Sequence, residues 1–345
     1  MNKPYLIAEM GVNFYDTAKS LNIEPIEAAK LYIAKAAEAG VDCAKFQSYK
    51  ANTIVSKNSP AYWDTTKEPT KTQYELFLKH DSFGEKEYRE LCDYTHEKGL
   101  DFTSTPFDYA SVDYLEDMVD FYKISSSDLS NIPFIRYIGS KRKPVYISVG
   151  AAYLSEVDEA IRNLKEVGCK EIVIFHCVLS YPTDPKDANL RVIETLKKNF
   201  PDVKVGFSDH VAPDEGMITL ATAYLLGAEV IEKHFTLDKT LPGNDHYHAG
   251  DPEDFRKAIA NFKLIDSILG SAEKTVLDCE LVPRREARRS LVLTRDMKKG
   301  EVISEKDIMA KRPGTGISPR YTEIVVGRKI LQDLAEDTVL TWDMV

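Results

Sequence analysis

The sequence predicts a (β/α)₈ TIM barrel followed by a small β-rich domain. Short apolar stretches alternate with segments of helical periodicity eight times over roughly the first 270 residues. Strands that are apolar throughout are typical of a parallel sheet covered by helices. Eight such units of this total length fit a closed barrel better than an open doubly wound sheet. No G-x-G-x-x-G motif follows the first strand, which weighs against a dinucleotide-binding fold.

The composition indicates a soluble globular protein. The 345 residues are 43% hydrophobic and 29% charged, and the net charge of −10 argues against non-specific nucleic-acid binding. No apolar run approaches transmembrane length, and the chain enters a strand soon after Met1, so we predict neither a membrane span nor a signal peptide. Five scattered cysteines without a C-x-x-C pair indicate reduced thiols. We therefore expect a cytoplasmic protein that binds neither membrane nor nucleic acid.

The elements follow one another with a single interruption. The predicted strands are 5–11, 43–49, 101–107, 121–127, 144–150, 171–177, 204–210 and 230–235. The predicted helices are about 25–40, 85–99, 110–118, 131–141, 154–167, 187–199, 214–226 and 252–269. Residues 50–82 break the alternation because they are polar and aromatic, contain two prolines and show no period. A loop of that length in a compact domain is usually functional or mobile.

Polar side chains stand at the carboxyl end of every predicted strand. Barrel enzymes place their active sites at these ends, so we expect the side chains to meet at one mouth. Buried lysines and carboxylates are costly unless they pair with each other or with a ligand, and a structural ion pair is the alternative for any single residue. The strand ends supply Glu9, Lys45, Gln47, Ser104, Thr105, Lys123, Ser126, Ser148, His176, Ser208, His210, Glu232 and His234.

Two neighbouring strands end on histidine. VGFSDH ends on His210 and VIEKHF carries His234, and a parallel βαβ unit would bring the two imidazoles together. Neutral imidazoles suit a divalent transition metal, which can polarise a carbonyl oxygen at a barrel mouth. The alternative is a pair of hydrogen-bonded core histidines. We interpret His246 and His248, in the loop at 244–248, as surface or substrate-edge residues.

Lysines and hydroxyls at the same mouth predict an anion site. Lys45 and Lys123 supply fixed positive charge, and the serines and threonines supply short donors, as a phosphate requires. A phosphorylated substrate with a polarised carbonyl partner points to carbon–carbon bond formation.

The composition changes after residue 270. Residues 280–289 form a charged, basic linker, and DMKKGEVISEKDI (296–308) is then echoed by DLAEDTVLTWDM (333–344). We predict a small β-rich domain with an internal pseudo-repeat. At about 58 residues it buries little core by itself, so we expect it to dock on another surface. The turn RPGTG (312–316) can present Arg312 to an anionic ligand, the alternative being an exposed structural turn.

Nine short motifs give the chain a family resemblance. They are, in order, IAEMGVN, AKFQ, TSTPFD, YKISSSD, HCVLSYP, GFSDH, IEKHFTLDK, PGNDH and KRPGTG. With them the chain resembles, over essentially its whole length, the sialic acid (nonulosonate) synthase family, in which a (β/α)₈ barrel precedes an antifreeze-like SAF domain. The resemblance implies a barrel at 1–275, a linker at 276–288 and a SAF domain at 289–345.

The resemblance also implies an activity and residue roles. Phosphoenolpyruvate would condense with an open-chain N-acyl amino-sugar aldehyde to give a nine-carbon α-keto sugar acid and phosphate, in a domain-swapped homodimer. The catalytic residues would be Glu9, His210 and His234, with the two histidines holding Mn²⁺ or Mg²⁺. The phosphoenolpyruvate-binding residues would be Lys45, Thr105, Lys123, Ser126, Ser148 and Ser208. The sugar-binding residues would be Gln47, Tyr181, Asp245 and Arg312, the last reaching across the dimer to the acyl group.

The chain departs from the usual family pattern at three places, and residues 50–72 do not align. N-H-x-G is replaced by Asn13-Phe14-Tyr15-Asp16, the T-S or T-N before the tyrosine by Val178-Leu179-Ser180, and the commoner threonine and methionine by Val149 and Ala151. We expect these changes on the sugar side of the site, so that the acceptor differs from N-acetylmannosamine and resembles a precursor of legionaminic or pseudaminic acid. Two alternatives stay open. One is another metal-dependent barrel aldolase or lyase acting on a keto acid and a sugar, and the other is carbohydrate binding through the SAF domain.

Overall fold

Eight parallel strands form the centre of the first of two compact units. The computed structural model describes residues 3–63, 65–66, 68–243 and 245–345, and the units are Met1–Gly270 and Ser271–Val345. The strands are β1 (Tyr5–Gly11), β2 (Cys43–Ser48), β3 (Asp101–Pro106), β4 (Tyr122–Ile124), β5 (Val145–Ser148), β6 (Ile172–His176), β7 (Lys204–Asp209) and β8 (Val230–His234). Neighbouring strands pair in parallel, in the order β3-β2-β1-β8-β7-β6-β5-β4.

Hydrogen bonds between β3 and the two residues just before β4 close this sheet into a barrel. The Asp120 amide donates to the Phe102 carbonyl over 3.0 Å, and the Thr103 hydroxyl donates to the Phe121 carbonyl over 2.5 Å. A sheet closed in this way has no free edge. The predicted (β/α)₈ fold is therefore confirmed, while the predicted domain limits stay a prediction.

Helices follow the strands and cover the outside of the barrel. They are α1 (Asn13–Leu21), α2 (Pro25–Ala39), α3 (Ala51–Ile54), α4 (Gln73–Leu78), α5 (Glu85–Glu97), α6 (Tyr109–Leu115), α7 (Ile132–Ser140), α8 (Leu154–Glu166), α9 (Val192–Asn199), α10 (Ile218–Leu225) and α11 (Pro252–Leu269). Among the described residues, none of these helices is long and apolar enough to cross a membrane.

Three of these helices are absent from the sequence prediction. Helix α1 buries Phe14, Thr17 and Ala18, which are spaced as one helical face. Helices α3 and α4 lie inside residues 50–82, which the sequence treats as irregular. Helix α4 begins at a capping box between Thr72 and Glu75, a signal that the lack of a longer period obscured.

The barrel interior is built in two layers. Alternate strand residues point inward, and the lower layer is an apolar cluster of Ile7, Cys43, Phe121, Tyr146, Val173, Phe175 and Val230. The next inward-facing residues toward the carboxyl ends are polar, and Lys123 lies with its Nζ 5.2 Å from the centre of the Phe175 ring. The polar side chains of the mouth therefore stand on a dry apolar floor.

The second unit contains the predicted internal repeat. Its elements are α12 (Leu281–Ala287), β9 (Ser290–Leu293), β10 (Ile308–Lys311) and α13 (Thr322–Val325). Met297 and Leu334, at matching positions of the two repeats, exchange backbone hydrogen bonds of 2.9 Å in both directions. Asp296 accepts from the Glu336 amide over 2.7 Å, and Asp333 accepts from the Lys299 amide over 2.9 Å. Each repeat thus bonds to the other through equivalent atoms.

The RPGTG turn is fixed within this second unit. The Ser290 hydroxyl donates to the Pro313 carbonyl over 2.7 Å and accepts from the Gly316 amide over 2.8 Å. The Gly314 amide donates to the Arg285 carbonyl, so residues of the predicted linker pack on the turn. Arg312 itself is exposed.

Candidate active site

Strand alternation directs Glu9 into the barrel, two residues after the inward-facing Ile7 of β1. The β1–β2 register pairs Glu9 with Lys45 and resumes at Gly11 with Phe46. Glu9 is 1% exposed, forms an ion pair with Lys45 and accepts a hydrogen bond from Gln47 Nε2 over 3.1 Å. Gly11 has a φ of +50°, and a Cβ placed on it would lie 3.1 Å from Glu9 Oε1. Glycine at this position therefore leaves room for the carboxylate.

Replacing Gly11 by alanine should disturb this carboxylate as well as the backbone. We expect Gly11→Ala to cost about 1–2 kcal/mol of unfolding free energy, because its φ is left-handed, and to lower activity by displacing Glu9 and Gln47. Gly99→Ala is the matched control, since Gly99 has a φ of +75° with nothing near its Cβ position. Denaturant unfolding and steady-state rates check both variants. Equal activities in the two would contradict the positioning role.

The lysine–glutamate cluster consists of Glu9, Lys45, Lys123 and Glu232. Glu232 Oε1 lies 3.8 Å from Lys45 Nζ and 3.7 Å from Lys123 Nζ. Burial lowers the pKa of Lys45 to about 7; the charge of Glu232 opposes this shift, and the charge of the neighbouring Lys123 adds to it. Burial raises the pKa of Glu232, but the charges of Lys123 and Lys45 outweigh it, and the pKa falls below its ordinary value. The sequence included Glu232 among the strand ends without giving it a role.

Hydroxyl groups surround the two lysines. Lys45 Nζ donates to Thr105 Oγ1 over 3.2 Å, and Lys123 Nζ donates to Ser148 Oγ over 2.6 Å. Ser208 Oγ donates to Glu232 Oε1 over 3.1 Å. These are three of the four hydroxyls that the sequence predicts for one ligand. The fourth, Ser126, accepts from the Gly150 amide over 2.9 Å and contacts Cys177 Sγ at 3.1 Å.

The imidazole cluster consists of His210, His234, Asp245 and His248. Ligand atoms of His234, Asp245 and His248 all lie within 4.8 Å of one another. Asp245 Oδ2 is 3.7 Å from His234 Nδ1, and Asp245 Oδ1 is 3.9 Å from His248 Nε2. The rings of His210 and His234 have centroids 5.5 Å apart, and the Tyr181 ring lies 4.2 Å from that of His210. The sequence predicted the two strand-end histidines but gave His248 no place beside them.

The histidines of this cluster are neutral, so each can offer a nitrogen lone pair to a ligand. Burial lowers the pKa of His210 to about 4, that of His248 to about 3, and that of His234 well below its ordinary value. His210 Nδ1 lies 2.7 Å from the Val178 carbonyl, which can only accept, so Nδ1 carries the proton and Nε2 keeps its lone pair. Within the described part of the chain, His234 Nδ1 and both nitrogens of His248 are buried without a hydrogen-bond partner.

The sequence predicts His246 and His248 to be surface or substrate-edge residues. The prediction of a surface position is wrong, because both side chains are fully buried. The loop turns back over the end of β8, where the Gly250 amide donates to the His234 carbonyl over 2.8 Å. His246 Nδ1 is hydrogen-bonded to Thr236 Oγ1 at 2.7 Å. The local sequence indicates a polar loop flanked by glycines and does not indicate that the loop folds back over β8. Asn244, which begins the loop, lies outside the described residues.

A cavity of about 670 Å³ opens beside the imidazole cluster. The predicted sugar-binding residues Gln47, Tyr181 and Asp245 line it, together with His234. Residues 50–82 supply much of the remaining wall, so this segment belongs to the site. The wall residues from that segment are Thr53, Ile54, Val55, Tyr62, Trp63, Gln73, Leu76, Phe77 and His80.

The departures from the family pattern do not all lie on this cavity. Leu179 lines it. Phe14 instead packs in the core, with its ring stacked 5.1 Å from that of Phe83. Val149 and Ala151 line a separate cavity between α8 and α9. The expectation that these changes cluster on the sugar side is therefore wrong for Phe14, Val149 and Ala151, whose side chains pack outside the barrel mouth.

The fold and this site define a barrel enzyme that acts on an anionic substrate. Two buried lysines, two buried carboxylates and a group of neutral imidazoles converge at the carboxyl ends of the strands, next to a cavity of ligand size. Perturbed ionisable groups of this kind gather at active sites.

Comparisons with known proteins give the family. The sequence model of the NeuB family matches residues 32–274, and that of the SAF domain matches 288–345. The chain belongs to the NeuB family. It is 36% identical to N,N'-diacetyllegionaminic acid synthase of Legionella pneumophila, covering 98% of this chain and 94% of that protein. It is 30% identical to human N-acetylneuraminate-9-phosphate synthase, and the match covers 99% of this chain and 92% of that protein. A crystal structure of N-acetylneuraminic acid synthetase from Leptospira borgpetersenii in complex with citrate matches with a TM-score of 0.70 and 31% identity, over 82% of this chain and 90% of that one.

Proposed function

We propose that the protein condenses phosphoenolpyruvate with an open-chain N-acyl amino-sugar aldehyde. C3 of phosphoenolpyruvate forms a bond to the aldehyde carbon, whose oxygen takes a proton and becomes a hydroxyl. Water adds at C2, and phosphate leaves, giving a nine-carbon α-keto sugar acid. The relatives named as synthases of diacetyllegionaminic acid and of N-acetylneuraminate 9-phosphate support this activity.

One observation carries the proposal: two different clusters share a strand. Glu232 of the lysine–glutamate cluster and His234 of the imidazole cluster are two residues apart on β8, so both point into the barrel. A phosphate-bearing molecule held by the lysines therefore lies next to a carbonyl held at the imidazoles. This is the juxtaposition that bond formation between two bound substrates requires.

Lys45 and Lys123, with Thr105, Ser148 and Ser208, would hold the phosphate and carboxylate of phosphoenolpyruvate. Ser126 would contact the same ligand from beside Gly150. Glu9, paired with Lys45, would handle a proton or orient the water that attacks C2. Gln47, Tyr181 and Asp245 would contact the sugar.

A divalent cation, Mn²⁺ or Mg²⁺, fits the imidazole cluster. The unpartnered nitrogens of His234 and His248 and the lone pair of His210 Nε2 are the donors that such an ion accepts. Asp245 adds a carboxylate whose oxygen lies within 4.8 Å of the ligand atoms of His234 and His248, and the His210 ring lies beside them. The bound ion would supply Lewis-acid polarisation of the aldehyde oxygen. We therefore assign His210 and His234 as ligands, together with Asp245 and His248.

We also propose that the protein acts in the cytoplasm as a domain-swapped homodimer, with Arg312 of one copy reaching the acyl group bound by the other. The family resemblance supports this arrangement. Light scattering at twice the chain mass of 38.9 kDa is the expected result. A monomer at working concentration would contradict it.

Phosphate release from phosphoenolpyruvate tests the activity. With Mn²⁺ and a panel of amino-sugar aldehydes, we expect release with one acceptor, loss with a chelator, and a nine-carbon acid in the mass spectrum. Release that does not need phosphoenolpyruvate, or cleavage of a keto acid, would favour a different barrel aldolase or lyase. Sugar binding that survives His210→Ala and Lys123→Ala without any turnover would favour a binding protein.

The pKa of Lys45 predicts a pH dependence. Since burial lowers the pKa of Lys45 to about 7, raising the pH above that value removes its proton and weakens the hold on an anion. The value of kcat/KM for phosphoenolpyruvate, which reports the free enzyme, should then fall about tenfold per pH unit. In Lys45→Arg the guanidinium stays protonated, so the profile should be flat above pH 7. An unchanged slope in that variant would contradict the assignment to Lys45.

A further inference from the structure

Helix α1 lies against the loop that carries two of the proposed cation ligands. We define the ligand loop as residues 245–250, which include Asp245 and His248 of the imidazole cluster. The end of this loop is tied to the barrel, because the Gly250 amide donates to the His234 carbonyl over 2.8 Å. The start of the loop is held by the side chain of His246.

His246 belongs to a chain of polar side chains that begins and ends on α1. Its Nδ1 is hydrogen-bonded to Thr236 Oγ1 at 2.7 Å, and its Nε2 lies 3.5 Å from Asp16 Oδ2. Thr236 Oγ1 in turn lies 3.4 Å from the Tyr32 hydroxyl, which is hydrogen-bonded to Thr17 Oγ1 at 2.8 Å. Asp16 and Thr17 are neighbours on α1, so the chain closes on itself. The other members are at most 4% exposed, and a buried network of this kind holds its groups in one arrangement.

Asp16 supplies a negative charge to this network. The Nε2 atom of His246 is buried, and among the described residues it has no hydrogen-bond partner. The Asp16 carboxylate, on a side chain that is 25% exposed, is the charged group that faces it. A carboxylate can only accept, so Asp16 favours the tautomer of His246 that carries a proton on Nε2. Removing the carboxylate would leave that nitrogen in a dry site without an acceptor, which weakens the hold on the ring.

The backbone before the ligand loop leaves room for this contact at Gly243. A Cβ placed on Gly243 would lie 2.8 Å from Asp16 Oδ2 and 3.2 Å from His246 Cδ2, and the residue has a φ of +129°. Any larger side chain would therefore push the carboxylate away from the imidazole. The approach of Asp16 to His246 thus depends on the conformation of both segments.

We propose that Asp16 is a positioning residue for the cation site. Through His246 it holds the start of the ligand loop, and so keeps Asp245 and His248 beside His234 without being a ligand itself. Asp16 stands within residues 13–16, which replace the N-H-x-G usual in the family, so the contact belongs to a stretch where this chain differs from that pattern. The inference rests on the proposed function for the assignment of Asp245 and His248 as ligands.

Manganese binding tests the positioning role. Electron paramagnetic resonance of free Mn²⁺ gives the Kd, and we expect Asp16→Ala to raise it about tenfold, as the loss of residues that orient ligands does. Asp128→Ala is the matched control, because both aspartates line the cavity, but Asp128 bonds to Asn131 instead of the ligand loop. Its Kd should change less than about twofold, since salt screens charges that are not in contact. Equal losses in the two variants would be an effect of charge alone and overturn the inference.

A double-mutant cycle with His246→Asn shows whether Asp16 acts through the imidazole. Asparagine can still bond to Thr236 from the position of Nδ1, but its side chain is too short to reach Asp16. In that background, Asp16→Ala should change the Kd for Mn²⁺ less than about twofold, although it changes the Kd about tenfold in the parent protein. A further tenfold loss in the His246→Asn background, about the full additive effect, overturns the inference.

Hydrogen exchange of the metal-free protein separates this inference from the proposed function. The Ala249 amide donates to the His246 carbonyl over 3.2 Å, and the Gly250 amide donates to the His234 carbonyl. Asp16→Ala should speed exchange of these two amides about tenfold or more, and Asp128→Ala should not. If the parent protein binds no Mn²⁺, the ligand assignment fails and exchange alone decides the hold on the loop. Unchanged exchange in Asp16→Ala overturns the inference, as does faster exchange with unchanged Mn²⁺ binding.

Discussion

Replacing Lys123 by methionine should lower kcat/KM for phosphoenolpyruvate about 10³-fold or more. Lys123 is 3% exposed, donates to Ser148 and lies 3.7 Å from Glu232. In a dry site, one fixed donor to an anion contributes about 10²–10³ in rate. Its loss also leaves Glu232 with one counterion, so the cavity becomes more repulsive to an anionic substrate.

Two further variants make this result specific. Lys141→Met is the matched control, because Lys141 also pairs with two carboxylates, those of Asp113 and Glu116, but it is only partly buried, its partners are exposed, and it lies just after α7 outside the barrel. Its activity should stay within about twofold of the parent enzyme, since surface pairs contribute little. Lys123→Met with Glu232→Gln restores charge balance without restoring the donor, and should stay inactive. Steady-state rates check all three, and a loss of less than tenfold in Lys123→Met would contradict the role.

Replacing Lys233 by methionine should cost about 3–5 kcal/mol of unfolding free energy. Lys233 and Asp209 face the outside of the barrel wall, where both are buried, and their side chains are 2.6 Å apart. Lys233 Nζ also donates to the Val211 carbonyl over 2.8 Å. Methionine would leave the Asp209 carboxylate buried without its counterion, directly before His210 in the chain.

Lys204 offers the comparison for this pair. Lys204 and Glu171 are also bonded at 2.7 Å, but their side chains are 52% and 43% exposed. Lys204→Met should therefore cost at most about 1 kcal/mol. Lys233→Met with Asp209→Asn should recover much of the larger loss, because the unpaired charge is gone. Denaturant unfolding of the four proteins decides the matter, and equal losses for Lys233→Met and Lys204→Met would show that burial does not matter here.

The sequence was sufficient to predict those site residues whose place follows from their position along a strand. Polar residues such as Lys45, Lys123 and His234 interrupt apolar strands at the same end, and a parallel barrel brings those ends together whatever the details of packing. The family motifs then gave the order of the site along the chain. Both the barrel and the convergence of these side chains could be predicted without coordinates.

The contacts that depend on tertiary register could not be predicted. Glu232 lies between two lysines because of the stagger of strands around the barrel, and nothing in the local sequence states that stagger. His248 reaches the imidazole cluster because its loop folds back over β8. Phe14 was assigned to the sugar side because it departs from a motif, but its side chain packs in the core. A change in a motif shows that a position differs, and only the structure shows what it touches.

Asp296 and Asp333 each accept a hydrogen bond from a backbone amide of the other repeat, so the C-terminal unit consists of two complementary halves. Each half satisfies backbone groups that the other would otherwise leave open, as two subunits do across a twofold interface. Such an arrangement is what duplication and fusion of a short self-pairing segment would leave behind. A fragment containing one half would carry an unpaired edge ready to bind a second copy, so splitting the unit between residues 308 and 333 should yield two peptides that recognise each other.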